Sequence, residues 1–272
     1  MVLCDFHTHT YFSFDGDPES TPDALCRRAL EAGLSHLAIT DHCDVNGEVE
    51  GIYNIYDADS AWDAMAQAKE KYKGKLNLTL GIELGNAHQY PDYAKMVLSK
   101  HPYEFVIGSL HNLRDVPDFC MLKYDMMTNA HISKLFDRML DETREMLSFD
   151  GIHTLGHMTY MHRYTTLARK PLDFKPHREK IHAIYEALIA KDIALELNVS
   201  TLWKGLGVSM PTMELLKWYK DAGGELVTVG SDAHSPVSLG KCIRKGYALL
   251  AAVGFSHVMA VADGNRVMLP IS

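Results

Sequence analysis

Short apolar runs that end in a histidine or an acid recur along the chain, each separated from the next by a stretch of helical spacing. The first is Leu3-Cys4-Asp5-Phe6-His7-Thr8-His9, an apolar entry into two histidines one residue apart. A polar turn over residues 11–17 holds Asp15 and leads to Ser20-Thr21-Pro22-Asp23, which predicts a helix over Asp23–Ala32 closed by Gly33. The strand His36–Thr40 then delivers Asp41-His42. Asn46–Asp59 has no clear period and reads as a loop able to cover a site. A helix over Ser60–Tyr72 and a strand over Leu76–Glu83 follow, then a helix over Tyr93–Ser99 and a strand from Phe105 to His111.

The second half repeats this order. After an irregular stretch over 112–129, Ile132, Leu135, Phe136, Met139, Leu140, Met146 and Leu147 fall on one helical face, a core-facing stripe. The strand His153–Gly156 hands over His157. Met158–Lys175 reads as a third loop, carrying His162 and Arg163. A helix over Arg178–Lys191, a strand over Ile193–Asn198, a loop at Gly205/Gly207 and a helix over Pro211–Ala222 lead to the seventh strand, Leu226–Ser231. That strand ends in Asp232-Ala233-His234, and a helix over Leu239–Ala252 with one short C-terminal strand completes the chain.

Alternating strands and helices predict an α/β fold with a parallel sheet, and seven strands with polar ends on one side are arranged most economically as a closed (β/α)7 barrel. The 272 residues suit a single domain of this kind, over residues 1–272. Barrel sites lie at the C-terminal ends of the strands. His7, His9, His42, Glu83, His111, His157, Asp232 and His234 are expected there, with Asp15 in the first loop. In a strand, residues two apart point to one side, so His7 and His9 share a target. Nine nitrogen and oxygen donors exceed what one ion takes, which predicts two or three divalent metal ions, with Zn, Mn and Fe all compatible. His36, His101, His131, His177, His182 and His257 read as structural, Cys43 as a packed thiol, and His88 as a pocket wall.

Composition narrows the chemistry. A formal charge of -8 argues against an extended nucleic-acid surface, and no apolar run is long enough to span a membrane. Five cysteines without a Cys-x-x-Cys pair suit a reducing compartment, and no secretory leader is legible, so a cytoplasmic location is expected. Paired metal ions acidify a shared water and stabilise charge on a phosphoryl oxygen, which is the chemistry of phosphoester hydrolysis on a small phosphorylated substrate. A phosphodiesterase or 3'-5' exonuclease on small nucleotides, and a metal-binding module without catalysis, are the alternatives. The oligomeric state is left open.

His7-Thr8-His9, Thr40-Asp41-His42, Gly81-Ile82-Glu83, His111, Gly156-His157 and Ser231-Asp232-Ala233-His234 together resemble the motifs of the polymerase and histidinol phosphatase (PHP) superfamily, along the whole chain. The resemblance implies a distorted seven-stranded barrel with a trinuclear site. It implies His7, His9, Glu83 and Asp232 on one ion, Glu83, His111 and His157 on a second, and Asp15, His42 and His234 on a third. A metal-bridging hydroxide would be the nucleophile, with Glu83 as bridging ligand and Asp232 and His234 as candidates for proton handling. The run Gly156 to Tyr164 resembles that of histidinol-phosphate phosphatases, which implies hydrolysis of L-histidinol phosphate with Arg163 as phosphate ligand. One departure stands out: such enzymes carry a second cation soon after the strand-six Glu-x-Asn, and here only Lys204 follows Asn198. Trp203 reads either as a stacking surface for the substrate or as a packing residue.

Overall fold

The structure is a computed structural model and describes residues 1–271. In chain order its first half contains β1 (Cys4–Asp5), α1 (Pro22–Glu31), β2 (His36–Ile39), β3 (His42–Asp44), α2 (Val45–Val49), α3 (Ala58–Tyr72), β4 (Asn77–Gly85), α4 (Pro91–Lys100) and β5 (Phe105–Ser109). The second half contains α5 (Asn129–Met146), β6 (Thr154–Leu155), α6 (Tyr160–Leu167), α7 (Arg178–Ala190), β7 (Ala194–Asn198), α8 (Ser200–Trp203), α9 (Met213–Asp221), β8 (Val227–Gly230), α10 (Ile243–Val253), β9 (His257–Ala262) and β10 (Asn265–Pro270).

Seven strands pair in parallel in the order β1-β2-β4-β5-β6-β7-β8, alternating with helices as the sequence predicts. The first strand is short as a ladder, but its extension closes the barrel against β8. Phe6 N donates to Val229 O at 2.9 Å, Asp232 N to His7 O at 2.9 Å, and His9 N to Ala233 O at 2.8 Å. The second strand is broken at Thr40-Asp41 and resumes as β3, where His42 sits opposite Glu83 in register. These two deviations distort the barrel at the end where the polar residues gather.

Helix starts follow the local chemistry. Thr21 caps α1 by accepting from Ala24 N at 3.1 Å, with Pro22 in the first turn, and Thr128 caps α5 by accepting from His131 N at 3.2 Å. The apolar stripe of α5 is buried as expected, from Ile132 to Met146. At the C-terminus the single expected strand is an antiparallel hairpin, β9 with β10. Thr79 Oγ1, four residues before Glu83, donates to Val261 O at 2.9 Å and ties this hairpin to β4.

Two expected loops contain helices. Asn46–Asp59 begins in α2 and ends in α3. Met158–Lys175, expected as a loop, contains α6, and both His162 and Arg163 are buried on it. The period was obscured in α6 because its buried face carries His162, Arg163 and Thr165 beside Met161 instead of an apolar stripe. The His162 ring packs on Phe174 with centroids 5.0 Å apart, and burial holds its pKa down at about 4. This imidazole is therefore kept neutral in the folded chain, so its contribution to stability is complete above about pH 6.5 and is lost as pH falls towards 4. His162→Phe should lose roughly 2–3 kcal/mol less stability than the parent between pH 6.5 and pH 4.5. Urea denaturation at both pH values measures this, and equal losses in the two proteins would rule it out.

Candidate metal centre

Glu83 lies at the centre of the barrel mouth and is fully buried. Its Oε1 accepts from Ser109 Oγ at 2.5 Å and faces His157 Nε2 at 2.9 Å and His111 Nε2 at 3.2 Å. Its Oε2 faces His7 Nε2 at 3.0 Å, His42 Nδ1 at 3.0 Å and His9 Nε2 at 3.5 Å. Burial acts to raise the Glu83 pKa, but His7, His42 and His111 outweigh it and hold the carboxyl well below its ordinary value. One carboxylate thus touches residues from four other strand ends, those of β1, β3, β5 and β6.

The neighbours turn one ring nitrogen of most histidines outward to a fixed acceptor. His7 Nδ1 donates to Glu196 Oε1 at 2.7 Å, and His111 Nδ1 to Asp44 Oδ1 at 2.9 Å. His9 Nδ1 donates to Ser13 Oγ at 3.1 Å, whose hydroxyl donates onward to Asp41 Oδ1 at 2.8 Å. His234 Nδ1 donates to Asp232 O at 3.1 Å. Each arrangement turns Nε2 to the mouth, where loss of its proton would leave the lone pair that a metal ligand needs. His9 Nε2 is buried with no hydrogen-bond partner, an uncompensated polar atom that a cation would satisfy.

The donors fall into overlapping groups close enough to share an ion: His7, His9 and Asp232; His7, Glu83 and His157; His42, Glu83 and His111; and His9, His42 and His234. Asp15 stands at the outer edge, its Oδ2 3.2 Å from His234 Nε2 and its Oδ1 3.8 Å from His42 Nε2. All nine predicted donors are therefore together at one end of the barrel. The electrostatics agree. Burial, with the neighbouring His234, His42 and His7, pushes His9 well below its ordinary pKa, while Asp44 and Glu83 overcome burial to raise His111. Imidazole and carboxylate donors without a thiolate fit zinc, manganese or iron.

Backbone geometry serves the same end. Asp232 has φ of 53°, the left-handed region that costs energy for a non-glycine residue, held by the hydrogen bond from its N to His7 O. Its Oδ1 is 4.0 Å from His7 Nε2 and 3.7 Å from His9 Nε2, while its Oδ2 is 3.3 Å from Arg163 Nη2. Gly230 has to be glycine because a Cβ there would run into His7 Cβ and Glu196 Oε1.

A cavity of about 810 Å³ opens over the cluster, lined on one side by Arg163, Lys204, Trp203 and Lys241 and on another by Tyr160, Tyr164 and Cys120. Arg163 is buried, and its Nη2 donates to Ser200 Oγ at 2.6 Å. Trp203 both packs and lines the cavity, its Nε1 donating to Ser231 O at 3.1 Å. Of the expected covering segment over Asn46–Asp59, Tyr53 reaches the edge of the cluster, stacking on Phe14, which stacks on His42, but the segment does not line the cavity. His88 is not a pocket wall, because it turns away to Glu142 Oε2 at 3.2 Å. Cys43 is packed, with burial raising its thiol well above its ordinary pKa. Glu196, Asp41 and Asp44 were not anticipated, although each sits at a strand end among residues that were.

The fold and cluster define a parallel α/β barrel whose mouth gathers imidazole and carboxylate donors able to hold metal ions. The chain belongs to the PHP domain family, whose model matches residues 5–200. Curated relatives include the histidinol-phosphatase of Lactococcus lactis, 26% identical over 275 residues and spanning 98% of this chain and 97% of that protein. Another is a probable histidinol-phosphatase of Thermotoga maritima, 28% identical over 272 residues and spanning 98% of both. The fold matches the crystal structure of the Lactococcus lactis histidinol phosphate phosphatase complexed with zinc, L-histidinol and phosphate, with a TM-score of 0.79 at 23% identity over 97% of this chain and 98% of that one. A second match is to the crystal structure of the putative histidinol phosphatase of Listeria monocytogenes, with a TM-score of 0.76 at 19% identity over 88% of this chain and 97% of that one.

Because Glu196 fixes His7 Nδ1 and also accepts from His157 N at 2.6 Å, Glu196→Gln should weaken metal binding by about 10- to 100-fold. Competition with a chromogenic chelator reads this directly, and an affinity equal to the parent's would remove Glu196 from the support of the site.

Proposed function

We propose that this chain is a metal-dependent phosphomonoester hydrolase that converts L-histidinol phosphate and water to L-histidinol and phosphate. The observation that carries the reading is the meeting of six histidines, Glu83, Asp15 and Asp232 with a buried arginine at one cavity. The near-full-length relatives named for this reaction support the choice of substrate. We assign His7, His9, Glu83 and Asp232 to one ion, Glu83, His111 and His157 to a second, and Asp15, His42 and His234 to a third. Bound divalent ions would supply Lewis acidity towards the phosphoryl oxygens and acidify water.

The remaining work falls to the chain. Arg163 presents its planar fork at the cavity wall, with Ser200 and Asp232 fixing its orientation, and takes phosphate oxygens. Lys204 adds a second positive charge on the same wall. Burial and nearby Arg163 hold its ammonium below its ordinary pKa, the direction expected of a cation awaiting an anion. Asp232 has one oxygen towards His7 and His9 and the other towards Arg163, and against its burial His7, Arg163 and His234 hold its carboxyl well below the ordinary pKa, so it stands ionised; Oδ2 would take the proton released by the attacking water and hand that same proton to the leaving alkoxide. Both ring nitrogens of His234 are engaged, by Asp15 and by the Asp232 carbonyl, which suits holding better than proton transfer. The five cysteines are free, consistent with a reducing, cytoplasmic setting.

Phosphate release from L-histidinol phosphate by metal-loaded protein, beside sugar phosphates, nucleotides and a diester, tests the reading. A kcat/KM for histidinol phosphate well above the rest is expected, and a diester preferred over every monoester would overturn it. His111→Ala should lower kcat by about 100-fold or more, since it removes a donor that faces Glu83. Arg163→Ala should raise KM for phosphomonoesters by about ten-fold or more, and an unchanged KM would take phosphate binding away from this residue.

A further inference from the structure

After Glu196-Leu197-Asn198 the chain runs through Val199, Ser200, Thr201, Leu202 and Trp203 without a cation, which leaves Lys204 as the only positive charge near this strand end. The cavity wall nevertheless holds a third cation from a distant part of the chain. Lys241, in the loop before α10, lines the cavity together with Arg163 and Lys204. Its Nζ lies 5.4 Å from the centroid of the Trp203 ring, and Lys204 Nζ lies 5.0 Å from the same centroid. The ring is anchored through Nε1 to Ser231 O, the residue before Asp232.

The pairing of these lysines differs from that of others in the chain. Lys69, Lys71, Lys180 and Lys220 each sit within ion-pair distance of a carboxylate. Among the described residues Lys204 and Lys241 have no such partner. An aromatic face attracts an ammonium group through its quadrupole without neutralising it, so both charges stay available to an anion in the cavity.

We propose that Lys241, held over Trp203 with Lys204, is a third phosphate-binding cation, supplied from outside the segment that follows Asn198. Arg163, Lys204 and Lys241 then form a three-cation wall that favours the dianion of a phosphomonoester over the single charge of a diester. Trp203 is a positioning residue in this arrangement, acting through the two lysines. The inference rests on the phosphomonoesterase reading above.

The test uses metal-loaded protein, with inorganic phosphate as probe in calorimetry and a phosphomonoester in kinetics. Lys241→Met should weaken phosphate binding and raise KM by about five-fold, the size expected of one solvent-screened charge, with the effect concentrated in KM. The deficit should shrink at high salt, where the parent itself loses the contribution. Lys241→Arg, which keeps the charge, should stay within about two-fold of the parent. Trp203→Leu should also weaken phosphate binding, and should cost less once Lys241 is already Met, because only Lys204 is then left over the ring. Lys241 is exposed, so the Met and Arg variants carry the test if the Trp203 variant does not fold. Phosphate affinity of Lys241→Met equal to the parent's, or an Arg variant as impaired as the Met variant, overturns the inference while leaving the phosphatase reading intact. A parent that neither binds phosphate nor hydrolyses any monoester overturns both.

Discussion

A single buried carboxylate, Glu83, organises the mouth of this barrel. Its two oxygens face imidazoles delivered by strands on both sides of β4, and no water-exposed surface screens the charge. An isolated carboxylate in such a place would cost several kcal/mol, so the site exists only because cations, whether imidazolium or metal, gather around it. The strand ends are arranged to deliver them. Parallel pairing puts every strand's C-terminus at the same height, and the register that sets His42 opposite Glu83 makes the contact direct.

A second ring of carboxylates gives the first its direction. Glu196, Asp44 and, through Ser13, Asp41 each take the outer nitrogen of one histidine, which turns the other nitrogen inward. This ring also places further carboxylates behind the histidines, and the unpartnered His9 Nε2 marks a buried polar atom that a cation would satisfy. Gly230 keeps the strand close enough for His7 and Glu196 to meet, so packing density and chemistry depend on the same backbone approach.

The cationic wall of the cavity is built differently. Its charges are carried on the short helices α6 and α8 and on the loop before α10, and are oriented by Ser200, Asp232 and the Trp203 ring. Arg163 is buried and fixed, whereas Lys204 and Lys241 reach in from the rim on flexible stems. Such a wall combines one directional contact with two adaptable ones. That division would fit the phosphate of the proposed substrate, giving its charge one fixed partner and two adaptable ones.

The amino-acid sequence by itself determined the alternation of seven strands and their helices, and the nine donors at one end, because apolar runs and the polar residues that end them are local properties of the chain. The same locality explains what it missed. Met158–Lys175 lacked an apolar stripe because α6 buries His162 and Arg163, a choice made by the cavity on one side and Phe174 on the other. Glu196 and Asp44 looked like ordinary strand-end acids until pairing brought them to His7 and His111 across 189 and 67 residues of chain. Lys241 carried no local signal at all, since a lysine in a loop is defined by what stands opposite it. Only the closed barrel decided those partners, because closure brings β1 against β8 and sets residues from both ends of the sequence within a hydrogen bond of each other.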